Sequence, residues 1–417
     1  MGAARELARR GQRVILLEAR ARLGGRIFPV SVRGLKEPVE LGAEFIHGNN
    51  ADFRALARRA GVRLESVSRE MYHLQEGRLV QAKDHWKRTT QLLKKLPANT
   101  RLPLGRFLKE WARRFPAEDV ARVRDHVESF NAAPAGRMSA AALSEDHAGA
   151  DQSQHRPVGG YLPLVEALGR DLCDLEVAVR LGMPVRRIEW RRGDVTIFAG
   201  AARSQGARIF RAKRVVVTLP LGVLKAKSVS FSPSLKSKDA IIRRLGWGDV
   251  RRVTLRFTKK FWRKRFVKTG AAAKTPGDCS FVTAHENPFP VWWVPSAEPV
   301  IVGWAGGPLA EPLQGLGPAR IKMAALRSLA AIWGAPPRVL RTHLLGFWSH
   351  DWARDPYSVG AYSYAVAGFE TGPAQLARPV QRTLYFAGEA MAEELGTVHG
   401  ALASGIAAAR QLSDDFD

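Results

Sequence analysis

Glu18 closes a short apolar run, Val14 to Leu17, and is followed by Arg20 and then by "LGGRI", which contains Gly24, Gly25 and Arg26. These residue types at this spacing suit the holding of a dinucleotide. A carboxylate at the end of the second strand of a βαβ unit accepts hydrogen bonds from ribose hydroxyls, about 20 residues beyond the start of a G-x-G-x-x-G turn. Paired glycines let the backbone pass close to a pyrophosphate, and an arginine can fork onto phosphate oxygens. Upstream, Ala3, Ala4, Leu7 and Ala8 share one helical face, and Gly11 stands where that helix must stop. Only Met1 and Gly2 precede the helix, so the first strand and its glycine turn are expected to lie upstream in the reading frame.

Two more stretches belong to the same chemistry. "VELGAEFIHG" puts the small residues Gly42 and Ala43 where a flat cofactor could approach the main chain, with Glu44 beside them to hold an ammonium group or line a pocket. "LYFAGEAMAEELGTVHGALASG" supplies a strand at Leu384 to Phe386, then Gly388 and Glu389, then a small-residue helix opening at Thr397 and Val398. Free amides and the positive dipole end at such a helix start stabilise an electron-rich ring.

The elements that must position these residues follow from hydrophobic periodicity. The segment from about Ala51 to Gln154 is mostly helical in pattern, as in "LKEWARRF" and "VARVRDHVESF". "HRPVGGYLPLVEALGRDL" reads as a glycine turn opening a helix, and "VRLGMPVRRIEW" as a strand near Val185. "RVVVTLPLGVL" is a near-continuous apolar run suited to a strand covered on both faces. From about Ser230 to Tyr364, apolar and polar positions alternate, as in "DVRRVTLRF", which predicts an antiparallel sheet. Cofactor-type motifs thus occur at the start, middle and end of the chain.

With 417 residues, 46% of them hydrophobic, the chain can bury a large core and favours two or more domains. Its two cysteines, Cys173 and Cys279, are far apart and suggest neither a disulfide framework nor a metal cluster. The formal charge of +26 raises nucleic-acid binding as a possibility, and "TKKFWRKRF" interleaves basic and aromatic residues. Basic pairs such as Arg9-Arg10, Arg58-Arg59 and Arg113-Arg114 are nevertheless dispersed, no nucleic-acid module is recognisable, and no specific nucleic-acid partner is expected. Most of the arginine excess reads as solvated surface. The positive field repels polycations, which favours neutral, monocationic or acidic substrates. No membrane span or secretory signal is visible, and a cytoplasmic location is the expectation.

Taken together, "ILLEARARLGGR", "ELGAEFIHG", "HRPVGGYLPLVEAL", "RVVVTLPLGVLKA", "DPYSVGAYSY" and "LYFAGEAMAEELGTVHGALASG" resemble the flavin-containing amine oxidases, the group holding monoamine, polyamine and spermine oxidases and the lysine-specific histone demethylases. The resemblance runs from Met1 to about Leu412. It implies an α/β fold, with a discontinuous Rossmann-like FAD-binding domain at 1–50, 155–229 and 376–417. A helical subdomain at 51–154 and an antiparallel-sheet substrate domain at 230–375 would be inserted in it. It further implies non-covalent FAD, because no cysteine precedes the terminal "GE" region where the family's covalent attachment occurs. The implied reaction moves a hydride equivalent from the carbon beside an amine nitrogen to flavin N5, giving an imine that is hydrolysed, with oxygen as acceptor.

By the same resemblance, Val185 contacts the adenine side, while Trp352 and Tyr362 are aromatic walls of the amine site. His47 orients substrate or relays a proton, its intrinsic pKa being near 6.5. Arg252 stands where many relatives carry a lysine that holds a water against the flavin; an arginine there could hold a water or clamp a substrate carboxylate. Arg252, Thr254 and Arg256 could equally be the polar face of a strand. Gly396 replaces an aromatic residue that completes a two-sided cage in several relatives, which suggests a more open site. Flavin desaturases acting on carbon–carbon bonds, or an inactive scaffold, are the competing classes.

Overall fold

A computed structural model describes residues 1–67, 70–75, 78–81, 85–148, 153–200, 208–264, 281–295 and 298–415. The opening helix, Gly2–Arg9, buries Ala3, Ala4 and Leu7, and Gly11 at φ +78° follows its end. The strand after it, Ile15–Leu17, pairs in parallel with Ala178–Arg180, and the Glu18 amide extends the ladder to the Arg180 carbonyl at 2.9 Å. The opening helix lies directly on the closing helix, Val398–Asp414. A side chain at Gly2 would come within 2.7 Å of Leu402, and one at Gly405 within 3.2 Å of the Ala3 nitrogen. Both glycines thus sit where the two helices approach closely, and Ala3, Leu7, Tyr385, Ala409 and Leu412 bury one another at the contact.

A second parallel pair joins Val215–Val217 to Leu384–Phe386. Beside these lies a four-stranded sheet in the order Arg208–Ala212, Asp194–Ala199, Val185–Arg191, Ser230–Ser232, the first three antiparallel and the last parallel. One apolar core, including Ile188, Val195, Val217, Leu376, Leu384 and Phe386, unites the two.

The largest sheet has seven strands, in the order Leu344–Trp348, Val250–Phe257, Val300–Gly306, Val291–Trp293, Phe281–Thr283, Met71–Gln75, Arg78–Gln81. It is antiparallel except where Phe281–Thr283 runs beside Met71–Gln75. The helix Pro318–Trp333 packs on it through Leu326, Leu329 and Ile332. Its last two strands come from the segment whose pattern is mostly helical. The helices of that segment, including Leu104–Trp111 and Ala117–Phe130, form their own core around Leu104, Leu108, Val123 and Val127.

The alternating strand Val250–Phe257 is not half solvated. Arg251 pairs with Asp351 at 2.7 Å, Arg252 with Glu44 at 2.6 Å, and Arg256 donates to the carbonyls of Arg33 and Gly34. The polar face predicted by alternation is therefore covered by the segment that carries Gly34 to Glu44. No helix among the described residues is long and apolar enough to cross a membrane.

Gly222, in the short helix Leu221–Lys225, tests how tightly that helix is packed on the 358–360 segment. A methyl group there would lie 2.2 Å from the Val359 carbonyl, 2.5 Å from the Ser358 carbonyl and 2.6 Å from the Trp247 indole nitrogen. Gly222→Ala should lower stability by about 1–3 kcal/mol, read as a fall in the thermal denaturation midpoint. An unchanged midpoint would show that the 358–360 segment yields freely.

Candidate active site

One cavity of about 680 Å³ runs from the opening helix to the seven-stranded sheet. Every site residue singled out from the sequence lines it: Glu18, Arg20, Gly24, Gly25, Arg26, Gly42, Ala43, Glu44, His47, Val185, Arg252, Trp352, Tyr362, Gly388, Glu389, Thr397 and Val398. They come from six separated stretches of chain, brought together by the two helices and sheets described above.

At one end, Met1, Gly2 and Ala3 present the start of the opening helix beside Glu18, and Val185 stands opposite. Glu18 Oε1 accepts the Arg20 amide at 2.7 Å, a local bond that aims the carboxylate, and the Met183 amide reaches the Glu18 carbonyl at 2.8 Å. Arg20 is itself held bidentately by Asp355 at 2.6 and 2.8 Å and donates to Ser358. Burial alone would raise the Asp355 carboxyl; hydrogen bonds from His350 and Arg20 outweigh it and hold the group well below the usual carboxylate range.

In the middle, Gly24 and Gly25 take positive φ of +102° and +59°, and a side chain on Gly25 would meet no protein atom within 4 Å. Gly42 is obligatory for the opposite reason, since its Cβ would fall 1.8 Å from the Arg26 carbonyl. Arg26, expected to fork onto phosphate, lines the cavity and pairs through Nη1 with Glu389 at 3.0 Å and with the Ala361 carbonyl. Glu389 also accepts from the amides of Ser363 and Gly396. Gly388 adopts φ +139°, and Thr397 caps the closing helix through the Gly400 amide at 3.0 Å. Trp352 belongs to this stretch: its indole donates to the Leu41 carbonyl at 3.0 Å, and its ring packs edge-on against His350 and Phe28 with Arg20 above. Trp352, expected as a wall of the amine site, lines the cavity, and its indole also braces the segment beneath Gly42.

The other end is an aromatic chamber. Phe45, Phe281, Trp293 and Trp304 form one run of ring contacts, with centroids 5.5–6.2 Å apart. His47 meets Phe130 edge-on at 5.2 Å, and Tyr362 donates its hydroxyl to the Phe130 carbonyl at 2.7 Å. Burial, then Glu389, pushes the Tyr362 hydroxyl well up, so it stays protonated. Burial, with His399 nearby, pulls His47 down to about 4. The imidazole is therefore neutral at physiological pH, and the expectation of a group titrating near 6.5 is corrected. Gly396 has φ +71°, and a side chain on it would start 3.2 Å from the Tyr362 ring, so the chamber has no room for a second wall at that position without movement.

Glu44 and Arg252 close the back of the chamber. Their 2.6 Å ion pair is buried, Arg252 also donates to the Gly42 carbonyl, and the Trp293 indole donates to both Glu44 oxygens at 3.2 and 3.3 Å. With its charge already met, Arg252 does not present a free fork for a substrate carboxylate. Sequence reasoning missed Phe45, Phe130, Trp293 and Trp304. In "VWWV" the period-2 rule holds a usable signal, because Trp292 is buried in the sheet core and its neighbour must face the other way.

A family model for flavin containing amine oxidoreductases matches residues 1–413. The chain belongs to that family. It is 30% identical to the "Lysine-specific histone demethylase 1 homolog 2" of Oryza sativa subsp. japonica over 99% of its own length and 55% of the relative's. It is 28% identical to "Polyamine oxidase 4" of the same organism over 98% of itself and 85% of that protein. The chain therefore spans only about half of the demethylase relative. Among solved structures, putrescine oxidase bound to putrescine superposes with a TM-score of 0.74 at 20% identity, covering 100% of this chain and 96% of that one. Cyclohexylamine oxidase from Brevibacterium oxydans IH-35A gives 0.76 at 19%, with the same coverage. At those identities the two structures establish the shared fold. The flavin of this family fits the cavity's donor set: an aimed carboxylate, an open glycine pair and two helix starts. The described cysteine, Cys173, is exposed and does not line the cavity; Cys279 lies outside the described residues.

Breaking a buried ion pair leaves an uncompensated charge and costs about 3–5 kcal/mol. Glu44→Gln or Arg252→Met alone should each destabilise the protein by about that much, read from chemical denaturation. The double variant should recover most of the loss. Additive single effects would show that the two side chains do not act as a pair.

Proposed function

We propose that the chain binds FAD non-covalently along this cavity and oxidises the carbon–nitrogen bond of a small amine held in the aromatic chamber, with oxygen as electron acceptor. The observation that carries the reading is the continuity of one cavity from the Glu18 carboxylate, past the glycine-lined middle, to the ring-lined chamber. When bound, the flavin supplies the acceptor for a hydride equivalent from the carbon beside nitrogen.

The protein's own residues do the rest. The rings of Phe45, Trp293, Trp304 and Tyr362 exclude water and orient the amine. Neutral His47 offers a hydrogen bond and no charge. The paired Glu44 and Arg252 leave the back wall charge-balanced, so the site favours the neutral amine, the form from which hydride can leave. Asp125, also lining the cavity, lies 3.1 Å from the His285 imidazole, an ion pair only when that ring is protonated. The overall charge of +26 supports simple amines over polycations, and the occupied Arg252 supports them over amino acids.

Anaerobic mixing of the holoenzyme with a panel of monoamines, polyamines, amino acids and a porphyrinogen, following flavin bleaching, tests this reading. Monoamines should reduce fastest. Reduction by the porphyrinogen alone would replace it with carbon–carbon desaturation, and no reduction by any member would favour a scaffold role. Acid precipitation should release all flavin into the supernatant, and Glu18→Ala should weaken its retention. His47→Gln should slow reduction about fivefold, the equivalent of one neutral hydrogen bond of about 1 kcal/mol. It should leave the pH midpoint in place, because His47 does not ionise near neutrality.

A further inference from the structure

Behind the Glu44–Arg252 pair lies a second, much smaller cavity of about 30 Å³, whose lining includes Glu40, Glu44, Arg252 and Thr254. Three polar atoms of these residues have no protein partner among the described residues: Oε2 of Glu40, Nε of Arg252 and Oγ1 of Thr254. The residues are only 6%, 4% and 2% exposed. Each unmet buried polar group costs about 1–3 kcal/mol, so three facing one space call for a shared partner. A water needs about 10–15 Å³ and two to four polar neighbours. The chemistry is complementary: Nε donates, the carboxylate accepts, and the hydroxyl does both.

The backbone fixes this convergence. Arg252 and Thr254 are two residues apart on one strand and so share a face. Glu40 sits on the short strand Val39–Glu40, and its Oε1 accepts the Tyr161 amide at 2.7 Å. Gly160, at φ +75°, leaves room for that carboxyl, since a side chain there would start 2.5 Å from Oε1.

We propose that the small cavity binds a water molecule bridging Glu40 to Arg252 and Thr254, which makes Glu40 a positioning residue for the arginine at the wall of the reaction chamber. The water site stands on this geometry alone; its effect on rate rests on the amine-oxidation reading. Burial raises the Glu40 carboxyl to about 7, with Glu44 adding to the rise and the Tyr161 amide and Arg252 opposing it. The other charged groups lining the cavity are Glu37, Arg156 and Glu298, of which Arg156 and Glu37 pair at 3.4 Å. As pH rises through neutrality, Arg252 passes from one carboxylate neighbour to two and is held more firmly.

The test combines infrared spectroscopy of the holoenzyme across pH with a high-resolution crystal structure. The expected results are a water within hydrogen-bond distance of all three atoms and a protonated-carboxyl band titrating near pH 7. Glu40→Gln should abolish the band, and Thr254→Val, which keeps the shape, should shift its midpoint. A dry cavity together with a band indifferent to Thr254→Val overturns the water site, even if Glu40→Gln fails to fold. A Glu40→Gln enzyme that retains flavin, with an unaltered pH profile of flavin reduction, overturns the positioning role. If no amine reduces the flavin, the functional reading fails on its own, and the infrared and crystallographic results still decide the water site.

Discussion

The buried pair of Glu44 and Arg252 is the constraint around which the molecule is arranged, because it ties the segment that carries Gly42 to the seven-stranded sheet, away from bulk solvent. Removing two charges from solvent is costly and tolerable only with further hydrogen bonds. Here those come from the Trp293 indole to Glu44 and from Arg252 to the Gly42 carbonyl. That last contact brings the Gly42 backbone down against the strand, and Gly42 in turn lies so close to Arg26 that no side chain fits between them. The glycine, the acid and the arginine are therefore parts of one packing problem. A lysine in place of Arg252 would meet Glu44 as a point charge without the planar fork that also reaches the Gly42 carbonyl.

A second constraint holds the chain's distant pieces together. The opening and closing helices touch through Gly2 and Gly405, and the strand Leu384–Phe386 pairs with Val215–Val217. Ends of the chain and its middle thereby share one layer, and Glu18, Gly388 and Thr397 face a common space despite their separation in sequence. The seven-stranded sheet closes that space from the other side, so a change in the registration of either layer alters the cavity.

That Glu18, Gly24, Gly25, Gly388 and Thr397 belong to one site was legible because each follows a local rule, and they do line one cavity. An acid closing a strand, glycines at positive φ and a threonine opening a helix are signals within a few residues of one another. The aromatic chamber offers less, only Trp293 carrying a period-2 signal beside the core residue Trp292. Phe45, Phe130, Trp293 and Trp304 come from different elements, and only the sheet and the Ala117–Phe130 helix make them neighbours. Alternation correctly marked Val250–Phe257 as a strand, yet could not show that its polar face is covered, since a paired arginine and a solvated one look alike in sequence. The same limit holds for Arg26: its partners Ala361 and Glu389 are distant along the chain and leave no trace beside it in the sequence.

The arginine excess is also less superficial than a count of charges implies. Arg22 donates to the carbonyls of Leu23, Gly25 and Ile27, Arg214 to those of Leu412 and Asp415, and Arg256 to those of Arg33 and Gly34. Irregular backbone cannot satisfy its own carbonyls, and a buried unmet one is costly. A guanidinium offers five donors in a fixed plane and can meet several at once. These arginines brace the glycine loop beside Glu18, the end of the closing helix and the segment over the sheet. Part of the +26 is thus structural, and its removal would loosen the loops that shape the cavity before it altered any long-range attraction.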